Sequence, residues 1–178
     1  MSAATKLRAQ FASGRIAVAP GAYDGLSARL VEQAGFPAVY ASGGAIARSI
    51  GVPDLGLISP DEIGGRLVQI VEAVGVPVIA DADTGYGNAL TAQRAARAFE
   101  RAGVVAFHLE DQTFPKKCGH YDDKSLVPAT EMVQRLRAVR DALHDADFVV
   151  IGRTDAIAVE GYAAALDRAA ACALSALP

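Results

Sequence analysis

The chain has 178 residues, enough for one ordinary domain with a sizeable core. Its 52% hydrophobic and 21% charged residues, with a formal net charge of −3, are those of a folded globular protein, neither disordered nor basic enough to point to nucleic acid. The 17 Lys and Arg are scattered, so no basic patch forms, and two cysteines, Cys118 and Cys172, argue against a disulfide framework and fit a reducing cytoplasm.

The opening segment MSAATKLRAQFASGR has no long apolar run, so no signal peptide is expected. No stretch approaches the roughly 20 apolar residues of a membrane span. From there, short β-rich runs alternate with helical patterns. IAVA predicts a strand over 16–19, followed by a helix over 24–34. AVYA predicts a strand over 38–41 and precedes a helix over 60–74; PVIA, over 77–80, precedes a helix over 91–102. VVAFHL, over 104–109, leads through a long loop to a helix over 129–143, and FVVIG, over 148–152, leads to a helix from about Tyr162. The runs are nearly continuous in apolar character, as strands buried on both faces are. Ser59-Pro60-Asp61-Glu62 and the segment from Asn88 carry helix-start signals. Five consecutive β–α units imply a parallel sheet in one domain spanning 1–178.

Every strand ends in polar or glycine-rich residues: Pro20-Gly21-Ala22-Tyr23-Asp24, Ser42-Gly43-Gly44, Asp81 to Gly85, Glu110-Asp111-Gln112 and Arg153-Thr154-Asp155. A barrel gathers all its strand ends around one site, whereas an open doubly wound sheet uses mainly its switch point. No GxGxxG follows the first strand. The reading is therefore α/β, of the (β/α)8 TIM-barrel kind, with only about five β–α units present. Eight units need about 250 residues, and the ending ACALSALP reads like a truncation.

In DADTGYG, side chains two apart on an extended segment share a face, so Asp81 and Asp83 are expected to point together into the strand mouth. Adjacent carboxylates repel unless a proton or cation lies between them. A hard divalent ion such as Mg2+ suits oxygen ligands, and Glu110 on the next strand adds a third acid. The same acids also suit solvated strand ends. Ser42, Gly43 and Gly44 offer a hydroxyl and open backbone N–H groups that can cradle a carboxylate or phosphate, or simply turn the chain. Arg153 can grip a carboxylate in two places, or pair with Asp155 or Glu110. His108 shares strand parity with Glu110 and reads as a satisfied core histidine, and Cys172 as plain packing.

The remaining cysteine lies in FPKKCGHYDDKSL, within a loop over 111–128. Cys118-x-His120 is not zinc spacing, and no second Cys/His pair completes a site. Loops of that length often serve as active-site lids. Lys116, Lys117 and His120 put positive charge beside the thiol, which gives either a proton-exchanging sulfur over the site or a surface cysteine in a basic loop.

PKKCGH, together with SGG, GVPDLGLIS, ADADTGYGN, HLEDQ and GRTDA, resembles the isocitrate lyase and phosphoenolpyruvate mutase superfamily, above all its methylisocitrate lyase and 2,3-dimethylmalate lyase branch. The motifs run in the family's order over residues 18–167. The resemblance implies a (β/α)8 barrel that cleaves a C–C bond of a 2-hydroxy di- or tricarboxylate with Mg2+, or Mn2+ as an alternative. It implies metal-site acids at Asp81 and Asp83, with Glu110 near the metal partly through water. It implies substrate binding by Tyr40, Ser42, Gly43, Gly44, Asp54, Cys118, Gly119 and Arg153. It makes Cys118 the acid/base, with His120 and Arg153 beside it in the catalytic group. It implies a cytoplasmic enzyme whose full-length relatives form homotetramers, with no nucleic-acid or membrane partner. A phosphonate-forming mutase, an oxaloacetate-type decarboxylase and an inactive remnant are the competing expectations.

Overall fold

The computed structural model describes residues 1–175; residues 176–178, the last part of the ending ACALSALP, lie outside the described residues. Five strands form one parallel sheet: β1 (Gly21–Ala22), β2 (Val39–Ala41), β3 (Val78–Asp81), β4 (Ala106–Glu110) and β5 (Val149–Arg153). Their spatial order is their chain order, β1-β2-β3-β4-β5. The order never reverses, as a doubly wound sheet must, so the sheet winds one way as a barrel wall does.

The helices α1 (Ala3–Ala12), α2 (Gly25–Gln33), α3 (Gly43–Ser49), α4 (Pro60–Ala73), α5 (Ala89–Arg101), α6 (Ala129–Ala142), α7 (Ala156–Val159) and α8 (Tyr162–Ser175) complete the described chain. Several start where the sequence signals a cap. Ser59 and Asn88 each accept from the backbone N–H three residues on, and Glu62 and Thr91 return the bond, so both are full capping boxes. None of these helices is long and apolar enough to cross a membrane.

The strands bury both faces for two different reasons. On one face Val39, Val78, Ala80, Phe107 and Leu109 pack with Leu67, Ile70, Phe99, Met132 and Val139 from the covering helices. Phe107 is the hinge of an aromatic row: its ring lies 6.4 Å from Phe99, edge-on, and 5.2 Å from Phe148. On the other face a smaller cluster of Leu7, Ala38, Ile79 and Ala106 fills the end where the strands begin. Leu7 comes from α1, which Ser2 caps and which Thr5 and Arg8 tie to Asp147. With that end filled, the inward side chains nearer the strands' C-terminal ends are the polar ones: Tyr40, Asp81, His108, Glu110 and Arg153. The register sets them side by side, Asp81 opposite His108 and Glu110 opposite Arg153.

Three expectations need correction. The first strand is not 16–19 but Gly21–Ala22; Ile16 is 88% exposed, so the apolar run lies outside the sheet. α1 and α3 were not expected. Ser42-Gly43-Gly44 is the start of α3, not an open turn, and Ser42 is its N-cap.

Candidate active site at the strand mouth

Asp81 ends β3 and is buried. Its Oδ2 accepts from the Gly43 N–H at 3.1 Å and its Oδ1 from the Asp83 N–H at 3.0 Å. A Cβ on Gly43 would stand 2.9 Å from Oδ2, and one on Gly44 would stand 2.6 Å from Asp54 Oδ2. The two glycines therefore let α3 approach both carboxylates. The Ser42 hydroxyl and the Gly43 N–H, read as a ligand cradle, are engaged within the chain, Ser42 Oγ accepting from Ala45 N–H.

Asp83 reaches the same mouth by another route than strand alternation. Its φ is +46°, in the left-handed region, so the segment turns there instead of running extended. Its carboxylate lies 2.7 Å from Lys116 Nζ, which also pairs with Asp54. Lys116 is 4% exposed and crosses from the loop to two acids of the mouth. Burial and the Asp81 charge push Asp83 up to about 7, against the pull of Lys116. Burial favours the neutral form of Asp81 too, but His108, Lys116 and the Asp83 N–H outweigh it and hold that carboxyl below its usual range.

His108 does not sit as a fully satisfied core histidine. Its Nε2 meets the Tyr40 hydroxyl and lies 3.6 Å from Asp81 Oδ1, its ring stacks on Tyr40 at 5.2 Å, and its buried Nδ1 has no partner. Burial, and then the Asp81 charge, raise the Tyr40 phenol, so it stays a neutral donor. Glu110 is 1% exposed, and its Oε2 lies 3.1 Å from Arg153 Nη1. Burial pushes Glu110 up to about 8 against the attraction of Arg153 and Lys116. Arg153 pairs with Asp155 as well as Glu110; burial works against its charge, but the two acids raise its pKa further.

The loop over 111–128 is folded down on this mouth. Gln112 and Leu126 form an antiparallel bridge, and Thr113 N–H donates to Ser125 O at 2.8 Å, closing its base. Cys118 is 7% exposed, so the surface-cysteine reading fails. Its Sγ lies 3.6 Å from His120 Nδ1. A Cβ on Gly119 would stand 2.5 Å from Arg153 Nη2, so the loop backbone rests against that guanidinium. The flanking lysines do not turn to the thiol as expected: Lys116 takes Asp54 and Asp83, and Lys117 Nζ donates to the Asp123 carbonyl.

Among the described residues, no group of three or more His, Cys, Asp and Glu side chains converges tightly enough to hold a metal ion by itself. Mg2+ asks for less: it keeps several waters and takes one or two carboxylates, with substrate oxygens making up the rest. Asp81 and Asp83 are two hard, crowded oxygen donors, and a cavity of about 10 Å³, room for about one water, opens beside Asp83 and Asp54. That donor set fits a water-rich Mg2+ site.

Of the residues expected from the sequence, the structure brings together Tyr40, Gly43, Gly44, Asp54, Asp81, Asp83, Glu110, Gly119 and Arg153. Cys118 is buried in the loop above them, His120 is exposed beside its sulfur, and Ser42 is spent on capping α3. The sequence reading missed the bridging part of Lys116, the place of His108 beside Asp81, and Gln112 and Asp155. The last two lie inside the quoted motifs HLEDQ and GRTDA, next to residues already singled out.

The phosphoenolpyruvate phosphomutase family matches residues 7–174. Among curated proteins, 2,3-dimethylmalate lyase from Eubacterium barkeri is 45% identical over 169 residues, covering 94% of this chain and 58% of the relative. A 2-methylisocitrate lyase from Bacillus subtilis (strain 168) is 47% identical over 152 residues, covering 85% of this chain and 50% of the relative. Among solved structures, a phosphonopyruvate hydrolase in complex with oxalate and Mg++ superposes with a TM-score of 0.91 at 36% identity, covering 98% of this chain and 60% of that one. The chain therefore spans about half the length of the curated relatives it matches.

Proposed function

Because the chain belongs to the phosphoenolpyruvate phosphomutase family, we propose that its protein is a carbon–carbon lyase. The substrate is a 2-hydroxy di- or tricarboxylate of the methylisocitrate or alkylmalate kind, and the products are a 2-oxo acid and a second carboxylate. The described units are the β/α-barrel catalytic domain, or a part of it, working in the cytoplasm, where Cys118 and Cys172 stay reduced; neither is in a disulfide. The observation that carries the reading is the loop of Cys118 folded onto the mouth of Asp81, Asp83, Glu110 and Arg153. A buried thiol in the loop that lies over this mouth suits delivery of a proton to carbon.

Asp81 and Asp83 would hold a divalent ion, which when bound would supply Lewis acidity that eases loss of the substrate's hydroxyl proton and favours the 2-oxo acid. The chain's own groups do the rest. Arg153, set between Glu110 and Asp155, presents a planar cation to a second carboxylate. Tyr40, a neutral phenol, offers an O–H donor beside Asp81. The hydroxyl proton passes to a carboxylate of the mouth, and the O–H electron pair forms the C=O of the 2-oxo acid. The C–C bond breaks, its electron pair passes to the fragment whose own carboxylate stabilises it, and the Cys118 Sγ–H donates a proton to that carbon. Sulfur is left as thiolate 3.6 Å from His120 Nδ1, which can return the proton. The folded loop keeps bulk water from competing as proton donor.

The test is an assay of the full protein in Mg2+ buffer with 2-methylisocitrate, 2,3-dimethylmalate, oxaloacetate and phosphonopyruvate. Cleavage of a hydroxy acid is expected. The Cys118→Ser variant should lose about 10²–10⁴-fold in turnover, the share assigned to general acid–base catalysis, with substrate binding nearly unchanged. Turnover of oxaloacetate or phosphonopyruvate alone, no turnover at all, or full turnover by Cys118→Ser would refute the reading.

A further inference from the structure

Gln112 follows the acids at the end of β4 and has no part in the chemistry above. It is nonetheless 1% exposed, among the largest fully buried side chains in the protein. A buried amide carries one strong acceptor and two N–H donors, each of which costs stability if unpaired. All of them are used. Oε1 accepts from the Lys117 N–H at 3.0 Å. Nε2 lies 2.9 Å from the Lys117 carbonyl, 3.0 Å from Glu110 Oε1 and 2.8 Å from Asp155 Oδ2. The amide orientation follows from these partners: flipped, it would set NH2 against an N–H and its oxygen against three oxygens.

The pattern has two halves. On one side Gln112 grips both backbone groups of Lys117, as a neighbouring strand would. The Lys117 carbonyl belongs to the peptide that leads into Cys118, so fixing its plane fixes where the Cys118 backbone enters. On the other side the same amide touches Glu110 and Asp155, the two acids that flank Arg153. No other side chain described above bonds both the loop backbone next to the thiol and the two acids around the guanidinium. We propose that Gln112 is a positioning residue: it holds the Cys118–His120 segment down over the mouth and sets it in register with Arg153. It acts through Lys117 and never touches the reacting atoms.

This inference rests on the reading of Cys118 as the proton donor, but its test does not need turnover. Full protein carrying Gln112→Ala is compared with wild type in two measurements. One is hydrogen exchange across the chain by mass spectrometry. The other is the alkylation rate of Cys118 by iodoacetamide, with Cys172 as internal reference. Losing the two backbone bonds to Lys117 should raise exchange over 113–126 and Cys118 alkylation by about tenfold or more, the scale of losing buried hydrogen bonds in a local opening. Exchange in β3, β4 and α5 and alkylation at Cys172 should stay put. Gln112→Asn, one methylene shorter and still polar, should show the same local change. Unchanged exchange and alkylation at the loop overturn the proposal. So does a uniform rise across the chain, or loss of a cooperative melt in both variants, since either makes Gln112 a support of the whole fold. Failure of the lyase reading would appear separately, as absence of cleavage by wild type with the loop result intact.

Discussion

Lys116→Met isolates the electrostatics of the mouth. The ammonium is 4% exposed and is the shared partner of Asp54 and Asp83, whose side chains are 10% and 13% exposed. Breaking a buried pair by removing one partner costs about 3–5 kcal/mol, because it strands a desolvated charge. Asp83 has an escape: it can take up a proton. Its folded carboxyl already stands at about 7, against an ordinary 3.8. A group raised in this way binds more protons folded than unfolded. Between roughly pH 4 and pH 7 the native state therefore loses stability as pH rises, by up to about 1.4 kcal/mol per unit. Methionine removes the cation that holds Asp83 down, so in the variant this window extends upward beyond 7. The stability difference between wild type and variant should then be smallest near about pH 6 and approach about 3–5 kcal/mol by about pH 9. Urea unfolding at both pH values, with the slope checked for constancy, reads the two differences. Adding Asp83→Asn to Lys116→Met should recover part of the loss at high pH, since no bare carboxylate then remains at that position. A difference that is the same at both pH values, or that shrinks as pH rises, would refute the reasoning.

Three further outcomes follow from the same geometry. Asp83→Ala should weaken Mg2+ binding by about tenfold or more, since even second-shell changes cost that much; titration calorimetry giving equal affinity for wild type and variant removes Asp83 from the metal site. Gly119→Ala sets a Cβ 2.5 Å from Nη2 of Arg153, whose guanidinium is already held by Glu110 through Nη1 and by Asp155 through Nη2. It should lower stability by about 1–3 kcal/mol and speed Cys118 alkylation relative to Cys172, and an unchanged rate counts against the packed-down loop. Phe107→Ala, at the centre of the Phe99–Phe107–Phe148 row, should cost about 3–5 kcal/mol in urea unfolding and leave Mg2+ affinity alone.

What could be read from the sequence divides along physical lines. The middle strands were legible because burial on both faces makes them continuous apolar runs, and β3 and β4 are buried at every position. The helices with capping boxes were legible because their signals are local, as at Ser59 and Asn88. The first strand was misplaced because its pairing is with Tyr40 and Ala41 on β2, and nothing within IAVA records that. α1 was missed for the same reason: what it buries, Ala4 and Leu7, is a narrow stripe, and its purpose is to fill one end of a sheet assembled from residues far along the chain. α3 was missed because two glycines open it, and glycine after a strand is the usual mark of a turn.

The site shows the same division in sharper form. Strand parity correctly put His108 and Glu110 on one face, since both lie inside β4. It failed for Asp81 and Asp83, because β3 ends at Asp81 and Asp83 turns through positive φ. The two carboxylates still meet, and the reason lies in what faces them: the Gly43 N–H fixes Asp81, and Lys116 fixes Asp83. Lys116 was read from its sequence neighbour, Cys118, when its partners lie 62 and 33 positions away, at Asp54 and Asp83. A long side chain in a loop takes its meaning from what the loop lies on. The charge pattern of PKKCGH alone therefore could not distinguish lysines that activate a thiol from a lysine that ties the loop to the acids beneath it. In the folded protein the second arrangement holds for Lys116, and it links the position of the thiol to the occupancy of the acids: any cation that takes Asp83 competes with the residue two places before Cys118.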